Sequence, residues 1–106
     1  MLHYFKEGKI TLEKIVEKMS HAVATCFEIE DRGFIREGYF ADLVLVDLNK
    51  PFTVNKENIL YKCGWSPLEG FSFPASVTHT FINGNLVYEK GVFDESNTGM
   101  RLKFSR

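Results

Sequence analysis

Four consecutive apolar residues, Leu43-Val44-Leu45-Val46, stand between Asp42 and Asp47, and they restrict the fold more than any other stretch of the chain. A short β-branched run bounded by polar and turn-forming neighbours reads as a strand. Side chains of a strand alternate between its two faces, so a run without polar alternation asks for cover on both. The chain has only 106 residues, and a domain of this size buries a smaller share of its surface than a long one does. Ten Phe, four Tyr and one Trp compete for the same interior. Such a chain is expected either to build one tight common core or to complete its apolar faces against a partner surface.

The residues before this strand follow a different rhythm. Met1 to Gly8 runs from apolar to charged and ends in Gly, as the last turn of a helix does. Thr11 is placed to cap a following helix, Glu13 lies in its first turn, and Ile10 and Ile15 have hydrophobic-staple spacing. Leu12, Ile15, Val16, Met19, Val23, Cys26 and Phe27 then recur at three- and four-residue steps. The spacing predicts one packing face, with Glu13, Lys14, Glu17, Lys18 and His21 on the polar side. Two arrangements fit: a second helix capped by Ser20, or a single bent helix.

From Gly33 onward the helical period gives way to short β-rich runs separated by turn residues, which makes residue 33 the expected internal boundary. Phe34-Ile35 is expected as a short strand, Arg36-Glu37-Gly38 as a turn, and Asp42 to Asp47 as a strand that Pro51 prevents from continuing. Asn55 is placed to cap a helical turn reaching Leu60. Cys63 to Gly70 reads as a packed loop anchored by Trp65 and Leu68. Val77 to Ile82 and Asn85 to Lys90 flank Asn83-Gly84, the preferred pair for a type I′ hairpin turn. Gly91 allows a second reversal before Val92-Phe93, Asp94 to Gly99 is a polar tail, and Met100 to Phe104 alternates as a last strand would. The fold class expected is α+β: N-terminal helices over residues 1–32, then a small antiparallel or mixed sheet over 33–106.

The chemistry-bearing residues form no motif. Thirteen basic and 14 acidic side chains leave a formal charge of -1, which offers no net attraction to nucleic acid or anionic lipid. No apolar run is long enough to span a bilayer and no basic-then-apolar leader opens the chain, so a cytoplasmic location is expected. Cys26 and Cys63 make no CxxC pair. His3, His21 and His79 sit on three different elements without HxH or HExxH spacing, so no metal ligand is assigned to them. Asp42 and Asp47, roughly 17 Å apart along a strand, are too distant to share a proton; Asp42 is read as a turn-bonding residue. No catalytic, cofactor-binding or metal residue is assigned in this chain.

Three ordered blocks carry a family resemblance. Arg32 to Asp47 resembles the G-x-I-x-x-G-x-x-A-D-L-V-x-x-D signature of the amidohydrolase superfamily, Lys62 to Gly70 the K-x-x-x-S-P-F-x-G block of dihydroorotases and allantoinases, and Val77 to Phe93 their V-x-x-T-x-x-x-G-x-x-V-Y-x-x-G-x-F ending. Leu68 replaces the usual Phe, and Ala22-Val23-Ala24 stands where many members carry Asn-Pro-Ala. The block order and the Arg-Leu-Lys-Phe finish make the chain most similar to the C-terminal portion of a dihydroorotase.

The resemblance implies a zinc-dependent parent enzyme that interconverts N-carbamoyl-L-aspartate and dihydroorotate in pyrimidine synthesis. Its metal ligands and proton-carrying Asp would lie upstream of this segment. It further implies that residues 1–32 are the last helices of a (β/α)8 barrel and that 33–106 are the C-terminal share of a flanking β-sandwich. The chain alone is then expected to be inactive, to bind no zinc, and to have as partners the missing barrel and sandwich strands, with self-association as a corollary. Two other readings stay open: the same segment of an allantoinase or hydantoinase, and an independent non-catalytic domain that binds a protein partner.

Overall fold

The computed structural model describes residues 1–106 and has the expected class: helices first, then antiparallel sheet. Helix α1 (Leu2–Lys6) ends in a Schellman motif, with Lys9 N–H donating to Tyr4 O, Gly8 N–H to Phe5 O, and Gly8 at φ +76°. Thr11 caps α2 (Leu12–Val16) by accepting from Lys14 N–H at 3.2 Å.

Helix α2 continues without a break through one π-helical turn (Glu17–His21) into α3 (Ala22–Cys26). Ser20 therefore caps nothing, and the single-helix alternative is the one adopted. Within the π turn Ala22 N–H reaches back to Glu17 O. The extra residue sets everything after it back by about 100° around the helix. As a result Ala24 is buried while Val23, Cys26 and Phe27, expected on the packing face, are exposed. The helix ends in a second Schellman motif, Ile29 N–H to Ala24 O and Glu28 N–H to Thr25 O, with Glu28 in the left-handed conformation usually given to Gly.

Strand β1 (Leu43–Asp47) lies at one edge of a four-stranded antiparallel sheet of order β1-β4-β5-β6, completed by β4 (Ser76–Ile82), β5 (Asn85–Glu89) and β6 (Val92–Phe93). The hairpin at Asn83-Gly84 forms with both residues at positive φ, and Lys90-Gly91 makes a second such reversal. A β-bulge at Thr78 lets β4 twist against β1, and the Thr78 hydroxyl donates to Leu45 O at 3.2 Å. Strands β2 (Phe52–Thr53) and β3 (Ser72–Phe73) form a separate two-stranded ribbon.

Several sequence expectations are corrected. Phe34-Ile35 is not a strand but part of a bend, because the Phe34 ring is taken by a stack against His21, with centroids 4.3 Å apart. His21 is accordingly a packed residue rather than a polar-face one. The turn capped by Asn55 is a three-residue 3-10 turn (Lys56–Asn58) that stops short of Leu60, since the Asn58 side chain closes a reciprocal capping box and also donates to Thr53 O. The Cys63–Gly70 loop is not packed: Trp65 and Leu68 are both exposed. Met100 to Phe104 adds no strand to the sheet. It pairs through a single bridge, Ile29 with Phe104, flanked by Glu30 N–H to Lys103 O and Ser105 N–H to Glu28 O.

The conflict between apolar content and size is resolved toward openness. Only Ala24, Ala75 and Arg32 are buried. The radius of gyration is 15.6 Å, against about 13 Å for a compact chain of this length. The accessible surface is 8156 Å², while a compact protein of the same mass exposes about 6,100 Å². The excess, roughly 2,000 Å², is more than twice the ~800 Å² that one partner contributes to a standard protein interface.

Candidate functional site

Two features stand out: a joint that ties the helix to the sheet, and an apolar groove beside it. The joint begins at Gly33, at φ +85°, where a Cβ would sit 2.5 Å from Ala24 Cβ and 3.1 Å from Ser20 O. Only glycine lets the chain cross the helix this closely. Next to it Arg32, 8% exposed, donates to the Asp42 carboxylate and lays its guanidinium over the Phe40 ring at 4.2 Å. The other Asp42 oxygen accepts from Asn83 N–H at 2.9 Å, and Gly84 N–H donates to Ala41 O. Asp42 thus does bond a turn, as expected, and also neutralises a buried cation. Arg36 extends the joint outward by stacking over Phe34 at 4.1 Å.

The groove, about 750 Å³, runs between the helix and the β1/β4 side of the sheet. Leu12, Ile15, Val16 and Met19 form one wall, and Val44, Val46 and Val77 form the other. Its few polar lining groups include His3 and Ser76, whose hydroxyl is enclosed without a hydrogen-bond partner. Walls of this kind receive an apolar segment. They hold no pair of groups able to exchange a proton with a substrate.

The three histidines stay apart in role as well as in sequence. His3 pairs with Glu7 at 3.1 Å and packs edge-on against Phe71. His21 stacks on Phe34. His79 contacts the Thr78 hydroxyl at 2.9 Å through Nδ1 and Glu89 at 3.5 Å through Nε2. No group of three His, Cys, Asp or Glu side chains is arranged to hold a metal ion, so these residues do not fit a zinc centre. The resolved charge perturbations are likewise peripheral. A hydrogen bond from Lys9 lowers the Glu7 pKa and raises that of Lys9, one from Lys14 lowers Glu17, and Ser96 lowers Asp94. No helix is long and apolar enough to cross a membrane.

Residues 3–88 match the sequence profile described as the Amidohydrolase family. The chain belongs to that family. Among its relatives, an allantoinase of Desulfitobacterium hafniense is 35% identical over 103 residues, 97% of this chain and 23% of that protein. A dihydroorotase of Pyrococcus furiosus is 38% identical over 90 residues, 85% of this chain and 22% of that protein. The L-hydantoinase (dihydropyrimidinase) of Arthrobacter aurescens superimposes with a TM-score of 0.75 at 28% identity, covering 84% of this chain and 20% of the hydantoinase. This amidohydrolase chain thus spans about a fifth of the length of the relatives it matches. The match covers the joint whole, from Ser20 and Ala24 through Gly33 to Asn83.

The joint could not be built from the sequence by chemistry alone. Asp42 was visible as a turn residue, but its partner Arg32 lies ten positions away across the Arg36–Tyr39 turn. The available signal was the family signature, which begins at Arg32 and contains Asp42.

Proposed function

We propose that this chain is the C-terminal structural segment of a dihydroorotase-type cyclic amidohydrolase and that it has no catalysis of its own. Residues 1–32 are the closing helices of the catalytic barrel, and residues 33–106 are the C-terminal strands of the flanking sandwich. The zinc ions and proton carrier belong to the remainder of the enzyme, which is the chain's principal partner and works in the cytoplasm on a cyclic amide. The observation that carries this reading is the surplus surface. Roughly 2,000 Å² of excess area sits on a family member that spans a fifth of its relatives, and it includes Val23 and Phe27, which the π turn leaves facing away from the chain's own sheet.

The experiment is a graft. This chain replaces the matching fifth of the Pyrococcus furiosus dihydroorotase, and the chimera is assayed for dihydroorotate hydrolysis beside the isolated 106 residues. A folded, active chimera and an inactive isolated chain without stoichiometric zinc are expected. Hydrolysis by the isolated chain, or a chimera that folds but lacks activity, refutes the assignment.

The allantoinase reading keeps a place in the same assay, because the allantoinase match extends over 97% of the chain against 85% for the dihydroorotase. Grafts into both relatives, each tested on dihydroorotate and allantoin, separate the two by which graft retains activity.

A further inference from the structure

We infer that the free edge of β1 is a self-pairing site, through which two copies of the 106-residue chain join their sheets about a twofold axis at Leu45. The inference uses the edge of the sheet, not its faces, and so stands apart from the functional reading above.

The sheet has two edges, β1 and β6. Strand β6 is two residues long, too short to template a partner, whereas β1 offers five residues. An exposed edge is normally guarded by a Lys, a Pro, an irregular backbone or a covering element. Leu43-Val44-Leu45-Val46-Asp47 contains no Lys or Pro, and the bulge in this ladder belongs to β4 at Thr78, so β1 itself is regular. Val44, Leu45 and Val46 are all exposed. The formal charge of -1 per chain offers little repulsion between copies.

The register follows from the hydrogen bonds. Leu45 O accepts from Thr78 and therefore points toward β4. By the alternation of an antiparallel strand, the amides of Val44 and Val46 point to the open side. Two symmetric pairings then keep like faces together, one centred on Leu45 and one on Val44. Centring on Val44 would require Asp42 N–H to bond across the axis, but that group is already committed to Phe40 O. Centring on Leu45 matches Val44 of each copy with Val46 of the other, both donors and acceptors free. It also sets Asp47 opposite Leu43, so no two carboxylates face each other. Leu45 then meets its own copy in a non-hydrogen-bonded pair, about 4.5 Å between Cα atoms. The exposed Val16 and Met19, which stand over the same strand across the groove, add apolar area on one side of the joined sheet. The surplus surface of each copy exceeds what a stable interface requires.

The test places cysteines in a chain carrying Cys26→Ser and Cys63→Ser. Under mild oxidation Leu45→Cys should cross-link into a covalent dimer, because the predicted Cα separation suits a disulfide. Val44→Cys and the opposite-edge control Val92→Cys should remain single. Sedimentation velocity on the unmodified chain should give about twice the 12.2 kDa chain mass. Leu45→Lys, at a side chain already half exposed, should return the chain to monomer with an unchanged circular-dichroism spectrum. A monomeric parent chain overturns the inference, as does cross-linking at Val92→Cys or Val44→Cys comparable with that at Leu45→Cys. A Leu45→Cys chain that stays single yet binds the separately produced remainder of a relative assigns the edge to that remainder and overturns it too.

Discussion

Replacing Gly33 by Ala tests the joint most directly. The new methyl group would sit 2.5 Å from Ala24 Cβ, closer than two carbons can approach. Ala24 has no rotamer with which to move aside, so the loop itself must lift from the helix. The residue must also hold φ near +85°, which costs an L-residue about 1–2 kcal/mol before any contact is considered. Lifting the loop disturbs the adjacent Arg32–Asp42 pair as well, so the total loss should be about 3 kcal/mol, in the range set by backbone strain and overpacking together.

Urea unfolding monitored by circular dichroism measures this loss, and hydrogen exchange at the Ile29 amide, bonded to Ala24 O, reports where it falls. The decisive measurement is a double-mutant cycle with Ala24→Gly. That change alone should cost about 1 kcal/mol of helix propensity. In the Gly33→Ala background it removes the methyl contact, so the pair should be less destabilised than the sum by about 1 kcal/mol or more. Additive losses, or a Gly33→Ala loss under about 0.5 kcal/mol, would refute the close approach as the reason for glycine.

Asp42→Asn keeps an acceptor for Asn83 N–H but strands the buried Arg32 charge, so it should cost about 3 kcal/mol in the same urea assay; Asp42→Ala should cost more, since the hairpin anchor goes too. Glu28→Gly relieves a non-glycine residue held at φ +55° and should stabilise by roughly 1 kcal/mol, read as a higher urea midpoint with an unchanged slope. Asp94 accepts from Ser96 N–H and Oγ, which lowers its pKa. A carboxylate with a folded pKa below its unfolded one contributes stability above the unfolded value and loses it as pH falls through the folded one. Titration of the Asp94 side chain by NMR should therefore show a midpoint below the ordinary aspartate range, and Ser96→Ala should move it upward, with little change in overall stability because the group is exposed.

The parts legible in the sequence were those decided locally. Thr11 capping α2, Asn83-Gly84 turning the hairpin and Gly8 ending α1 each depend on one residue's backbone preference or one short hydrogen bond. What escaped was decided at a distance. Phe34-Ile35 has strand composition, but stacking of the Phe34 ring on His21 bends the backbone. Met100 to Phe104 alternates as a strand does, yet its partner is the loop after α3, and nothing local announces that pairing. The helical period was read as one continuous face because a π turn leaves no mark in residue spacing. The joint was visible only as a family signature, since an Arg and an Asp ten residues apart are an ordinary sight on any surface.

That π turn also makes the helix sensitive to residue count in a way that its composition conceals. Deleting any one residue between Glu17 and His21 would restore an ordinary helix of the same hydrophobic character, and each side chain would still look acceptable where it stood. Yet the second half would swing through more than a quarter of a revolution, offering Gly33 a different neighbour and carrying His21 off the Phe34 ring. Between Thr11 and Cys26, substitution is therefore negotiable and length is not.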